Sequence, residues 1–282
     1  MMKALAPGRV EMRSITKRFD GAPVLNNCSI DFKPGLITGL IGPSGCGKTT
    51  IIDLIAGYAT AEEGEVLLDG SPVSGPNWER LVVFQESALF PWKSTLGNLT
   101  FGPLNRGAAR PETVNRARAL LGKLGLGGFE TKYPMQLSGG MQRRAELARA
   151  LINDPKVMLL DEPFRGLDAM TRELLQEYFL TVFEENPITT VFVTTEIEEA
   201  IFLSDVIVML SNPPTSVKKI IEVDLPRPRK LSMLSSLRFA ELQTEALGGL
   251  LEEARKAFTE GMDEAAELME AFGHAMRGRA ER

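Results

Sequence analysis

ITGLIGPSGCGKTTIIDLIAG, residues 37–57, decides the fold. It opens as an apolar run (37–42) that reads as a buried strand and closes as a helical pattern stopped by Gly57. Between them GPSGCGKTT, 42–50, matches G-x-x-x-x-G-K-[ST] in the strand–loop–helix context that gives this spacing its meaning. Gly42, Gly45 and Gly47 let successive N–H groups turn inward around an anion, with Pro43, Ser44, Cys46 and Thr50 completing the loop. Lys48 reaches terminal phosphates, the Thr49 hydroxyl suits Mg²⁺, and the start of the helix adds a favourable dipole. The stretch therefore predicts a nucleotide phosphate site.

Outward from this loop, short β-branched runs alternate with helical patterns. Strands are expected at 79–85, 157–161, 189–195 and 206–211, which implies a mainly parallel sheet covered on both faces. RVEMRSI and the region from CSIDF to GEVLLDG have shorter strands and turn signals, and predict an antiparallel layer. From Ser87 to Met135 the pattern is helical, with Pro111 at a first-turn position. The expected fold class is α/β: a P-loop nucleotide hydrolase core with a parallel sheet, an antiparallel β layer, a helical insert (87–150) and a C-terminal helical tail. LPRPRK (225–230) reads as a linker, so the expected domains are 9–225, a linker at 226–230 and an extension at 231–282. In that tail Leu247, Leu250, Leu251, Ala254, Phe258, Ala265, Leu268, Met269 and Phe272 form an apolar stripe, expected to pack back on the domain, dimerise or meet a partner.

VMLLDEP, 157–163, supplies acid groups. A buried strand delivers Asp161 to its end, where the carboxylate can hold Mg²⁺ through water, and Glu162 can polarise an attacking water. Composition bounds the rest. Two cysteines in 282 residues give no disulfide framework, and a reducing cytosol is the default. The first residues have no apolar core of the signal-peptide kind, and no apolar run is long enough to span a bilayer. A net charge of −5 argues against a broad basic surface for nucleic acid.

LSGGMQRRAELARALINDP, 137–155, identifies the family. Ser138 and two glycines open a helix whose first N–H groups form a second anion site. Two such helix starts with one nucleotide motif suggest a dimer in which each protomer closes the other's nucleotide. Over residues 9–225 the sequence resembles the ATP-binding cassette ATPases. The resemblance implies ATP and Mg²⁺ as ligands, with Thr49, Gln85 and Asp161 around the metal and Glu162 and Gln85 acting on the water. It implies Phe19 against adenine, Ser138, Gly139, Gly140 and Met141 reaching the opposite protomer's γ-phosphate, and Asp168 crossing the dimer interface. Arg143, Arg144 and Arg149 read as a solvated helix face.

ESALFPWKSTLGNLTFG (86–102) and SNPPTSVKKIIEVDLPRPR (211–229) are similar to the nitrate, sulfonate and taurine import group. That implies a bacterial importer on the cytoplasmic face of the inner membrane, held there by its permease. Its partners would be a second ATPase subunit, permease subunits docking near Phe90, Pro91 and Trp92, and a solute-binding protein. Against this pattern, VFVTTEIEEA (191–200) carries Thr195 where the family places a histidine, and the chain's one histidine is His274. Threonine donates one hydrogen bond and carries no charge. Slow hydrolysis, or the impaired member of a heterodimer, follows as the expectation. A soluble cassette ATPase of repair or translation is the alternative, although the double cassette or long coiled-coil insertion of those types is not in the sequence.

Overall fold

The central strands of the sheet that carries the loop are buried on both faces. The computed structural model describes residues 5–280, with side chains described for 5–259. Chain order is β1 (Val10–Phe19), β2 (Ala22–Phe32), β3 (Ile37–Ile41), α1 (Lys48–Ala56), β4 (Glu63–Leu68), β5 (Ser71–Pro72) and β6 (Arg80–Val83). There follow α2 (Thr95–Asn105), α3 (Arg110–Lys123), α4 (Gly139–Leu151), β7 (Val157–Asp161), α5 (Ala169–Glu185) and β8 (Thr189–Val193). Last come α6 (Ile197–Leu203), β9 (Val206–Leu210), β10 (Val217–Glu222) and α7 (Leu237–Ala280).

The six-stranded sheet has the order β10-β9-β3-β8-β7-β6. Its pairs from β9 to β6 are parallel, and β10 joins β9 antiparallel. Every residue of β3, β7 and β8 is buried, which is why those runs show no alternation. The antiparallel layer β2-β1-β4-β5 packs with α1 on one face, through Val10, Met12, Phe32, Ile51 and Ile55. The other face packs on Leu147, Phe164, Phe179, Phe202 and Phe239. Each such fully buried large side chain contributes roughly 1.5–3 kcal/mol.

Local signals place most boundaries. Gly57 takes φ +83° as the αL cap of α1, and its N–H bonds to Leu54 O. Pro111 lies in the first turn of α3. Two boundaries differ from expectation. β6 ends at Val83, so Gln85 stands in the following turn rather than at a strand end. β8 ends at Val193, so both threonines lie beyond it.

The segment 225–230 is pinned rather than loose. Arg229, 5% exposed, donates to the Ile201 and Phe202 carbonyls at the end of α6, and Arg227 pairs with Asp205 at 2.8 Å. α7 packs on the domain, but through a face offset from the predicted stripe. Phe239, Leu242 and Ala246 are buried, Glu253 is 3% exposed and bonded by Asn212 N and Lys218 Nζ, while Leu247, Leu251 and Phe258 face solvent. The stripe predicts a helix but not which side meets the sheet, because Asn212 and Lys218 also dock it through Glu253. Ala265, Leu268, Met269 and Phe272 lie outside the residues whose side chains are described.

Candidate functional site

The loop between β3 and α1 is shaped by two glycines with left-handed backbone, Gly45 (φ +77°) and Gly47 (φ +86°). A Cβ on Gly47 would come within 2.8 Å of Val24 Cγ1, so the antiparallel layer closes directly on the loop. Lys48, 8% exposed, reaches back across it and donates to the Gly42 and Pro43 carbonyls at 2.9 and 2.8 Å. The ammonium is thus held at the loop's mouth by its own backbone. Ser44 and Gly45 are exposed, Gly42 and Pro43 half-buried. Cys46 is fully buried, its sulfur 3.7 Å from Lys48 Nζ. Burial raises both thiols, that of Cys28 to about 11, which keeps them protonated and unreactive at neutral pH. Thr50 is half-buried one residue beyond Thr49.

The Thr49 hydroxyl donates to Asp161 Oδ2 at 3.0 Å. This contact joins the loop to the end of β7. Burial pushes the Asp161 carboxyl up, with the Thr49 bond opposing it. Glu162 follows in a left-handed conformation (φ 45°), its N–H on Val193 O at 3.0 Å. That unusual backbone turns the side chain away from the sheet toward the cleft.

That cleft, about 330 Å³, is lined by Ser44, Glu162, Arg165, Thr195, Glu196 and Glu199 among others. The structure therefore brings the phosphate loop, the acid after β7 and the predicted Thr195 together. Thr195 is exposed; Thr194, 2% exposed, is turned inward. Thr194 Oγ1 donates to Glu199 Oε2 and accepts from Glu196 N at 3.0 Å, and Gln176 Nε2 donates to Glu199 Oε1 at 2.8 Å. Burial raises the Glu199 carboxyl, and these donors pull the other way. The two adjacent hydroxyls thus have different surroundings: one anchors the strand end and the other faces the cleft.

Three arginines predicted as a solvated face are not one. Arg143 is 6% exposed, paired with buried Glu146 at 2.8 Å. Its other donors reach the carbonyls of Phe84 (2.6 Å), Gln85 (3.0 Å), Glu162 (3.3 Å) and Pro163. Arg149 donates to Ala88 O at 2.7 Å and covers the Phe90 ring, and Arg144 reaches Leu124 and Gly125 carbonyls. Sequence spacing puts these residues on α4 but holds no trace of the distant carbonyls that draw them in.

Ser138 caps α4, its hydroxyl accepting from Met141 N at 3.3 Å. Gly139 is exposed, Met141 is half-buried, and a Cβ on Gly140 would lie 2.7 Å from Thr171 Cγ2, so α4 and α5 meet there closely. Asp168 caps α5 through Thr171 N at 3.0 Å, and that bonding holds its carboxyl below the usual range. Phe19 is 51% exposed at the end of β1, with Lys17 Nζ 5.3 Å from its ring centre. It is not packed in the core.

A second groove, about 500 Å³, lies between the sheet and the insert and is lined by Trp78, Phe84, Phe90, Phe101, Arg106 and Arg149 among others. Of the three predicted docking residues Phe90 lines it. Trp92, 71% exposed, lies against Phe90 with ring centres 5.5 Å apart and planes tilted by 31°, and Pro91 is exposed between them. No helix among the described residues is long and apolar enough to cross a membrane.

The donor set fits Mg²⁺ bound together with phosphate oxygens. One hydroxyl and one carboxylate stand in contact, and among the described residues no cluster of three or more His, Cys, Asp or Glu forms an all-protein cage.

The family model described as ABC transporter matches residues 25–165. An uncharacterised ABC transporter ATP-binding protein of Methanocaldococcus jannaschii is 42% identical, over 88% of this chain and 94% of its own. The taurine import ATP-binding protein of Yersinia pestis bv. Antiqua is 44% identical over 71% of this chain and 78% of its own; that of Pseudomonas syringae pv. tomato is 41% identical over 77% and 84%. A solved dimeric ATP-binding cassette in a post-hydrolysis state, bound to ADP and Pi, is 29% identical with a TM-score of 0.67, covering 77% of this chain and 100% of that one.

Proposed function

The chain belongs to the ABC transporter family of ATP-binding proteins and is an ABC ATPase, and on that premise we propose that it powers import of a small solute of the nitrate, sulfonate or taurine kind. The observation that carries the ATPase chemistry is the 3.0 Å bond from Thr49 to Asp161, which joins two motifs 112 residues apart with Glu162 beside them. The taurine import relatives support the solute class.

In this reading the loop amides of residues 42–50 and Lys48 cradle the β- and γ-phosphates, and Phe19 stacks on adenine. Thr49, Asp161 and Gln85 would hold Mg²⁺, which when bound neutralises charge on the phosphates. Glu162 accepts a hydrogen bond from the attacking water and orients it. Gln85, carried on the turn that Arg143 holds, senses that water. Ser138, Gly139, Gly140 and Met141 of a second copy or a related subunit close on the γ-phosphate, with Asp168 across the interface. The dimeric cassette among the solved relatives supports that arrangement. Thr195 contributes one neutral donor where a charged imidazole would give more. Losing one preorganised donor typically lowers turnover by about 10²–10³.

The groove beside Phe90, with Pro91 and Trp92 at its rim, receives a cytoplasmic helix of a permease, which keeps the chain at the inner face of the membrane. A solute-binding protein delivers the cargo. Thr195 also favours a second reading, the slow member of a heterodimeric pair. The test is ATP turnover by the purified chain, alone and with its neighbouring subunits, alongside Glu162→Gln. Turnover unaffected by that substitution refutes the assignment of Glu162, and failure to recover a multi-span membrane subunit with the chain refutes the importer reading.

A further inference from the structure

The cleft around Thr195 holds no histidine, yet it holds a cation placed on the acid. Arg165, in the loop after β7, donates through Nη1 to Glu162 Oε2 at 2.7 Å. Arg165 N also bonds to Glu162 O at 3.2 Å, so the two residues close one turn and the guanidinium returns over the carboxylate. The pair is unequal: the Glu162 side chain is 13% exposed and that of Arg165 64%. Both line the cleft with Ser44 and Thr195.

Of the other charged groups of the cleft, Glu196 is exposed, while Arg172 and Glu199 are held by other partners. Arg172 Nη2 donates to Leu167 O at 3.0 Å, and Glu199 accepts from Thr194 and Gln176. Glu162 itself has a fixed backbone, left-handed and bonded to Val193 O. Its three side-chain torsions leave the carboxylate free to swing unless something beyond the backbone holds it. The contact that holds it is the guanidinium.

We propose that Arg165 is the positioning residue for Glu162: it supplies, from the loop after the acid, the cation that the strand end at Thr195 lacks, and fixes the carboxylate toward the cleft. This rests on the reading of Glu162 as the residue that orients the water. A pair whose cation is 64% exposed contributes little to stability, so the effect belongs in turnover rather than in folding.

The test is steady-state ATP hydrolysis by the purified full chain. Arg165→Ala lowers kcat by about tenfold or more, a part of the 10²–10⁴ that a well-placed base supplies. KM for ATP stays within about twofold, because Lys48 and the loop amides are untouched. Arg165→Lys, which keeps the charge with poorer geometry, recovers a substantial part of kcat. In a Glu162→Gln background Arg165→Ala lowers kcat no further, since the arginine acts through the carboxylate. Unchanged or raised kcat in Arg165→Ala overturns the proposal, as does an effect confined to KM or an equal loss in the Glu162→Gln background. Unchanged kcat in Glu162→Gln itself removes the reading of Glu162 and this proposal with it; a large loss there with none in Arg165→Ala removes this proposal alone.

Discussion

Replacing Glu199 by alanine tests how the strand end that presents Thr195 is held. Glu199, 7% exposed, accepts from Thr194 Oγ1 and from Gln176 Nε2, both on side chains themselves buried, at 2% and 6% exposed. Truncation leaves two buried donors without acceptors. At roughly 1–3 kcal/mol for each orphaned group the cost is about 2–6 kcal/mol, reduced by whatever the enclosed carboxylate had cost to desolvate. Urea unfolding measures it directly. Glu199→Gln keeps one acceptor oxygen and so costs less. The pH dependence carries a second check. Burial raises the Glu199 carboxyl in the folded state. The folded chain therefore holds this proton more tightly than the unfolded one. The stability it contributes is full below the ordinary glutamate value of about 4.3 and is lost as pH rises from there through the raised folded value. Glu199→Gln removes that slope. A loss below about 0.5 kcal/mol in Glu199→Ala, the range of an ordinary surface change, refutes the network as a structural tie.

Thr195→His raises ATP turnover, by up to about 10²–10³, because it adds at the strand end a donor that Arg165, bonded to Glu162, does not replace; an unchanged rate in the same assay refutes the missing-donor account. Arg143→Met removes the partner of buried Glu146 and the clamp on four carbonyls, and lowers unfolding free energy by about 3–5 kcal/mol in denaturant titration. Trp92→Ala, at a 71% exposed position, changes unfolding by no more than about 0.5 kcal/mol but reduces the permease recovered with the chain in pull-down.

Much of this architecture is local and so legible in the chain. The apolar run 37–41, the glycines at φ +77° and +86°, the stop at Gly57 and the Ser138 cap are each decided within a few residues. What is not legible is decided across the fold. Arg143 reaches carbonyls 19 to 59 positions away in sequence, and spacing on α4 carries no sign of them. The face of α7 that docks carries Phe239, Leu242 and Ala246 together with Glu253 on Asn212 and Lys218, and leaves Leu247 and Leu251 in solvent. Arg165 sits in an unremarkable RGLDA, and its closeness to Glu162 emerges once the backbone at 162 turns left-handed.

The guanidinium of Arg143 has a mechanical meaning. One planar group, rooted in the helix that Ser138 begins, holds the backbone of Phe84 and Gln85 and that of Glu162 and Pro163. A rotation of the insert relative to the sheet therefore strains or drags both turns together. A displacement at the Phe90 groove and the backbone of Glu162 are geared through a single joint. Such a joint runs in both directions: whatever repositions the backbone at Glu162 loads the groove by the same linkage.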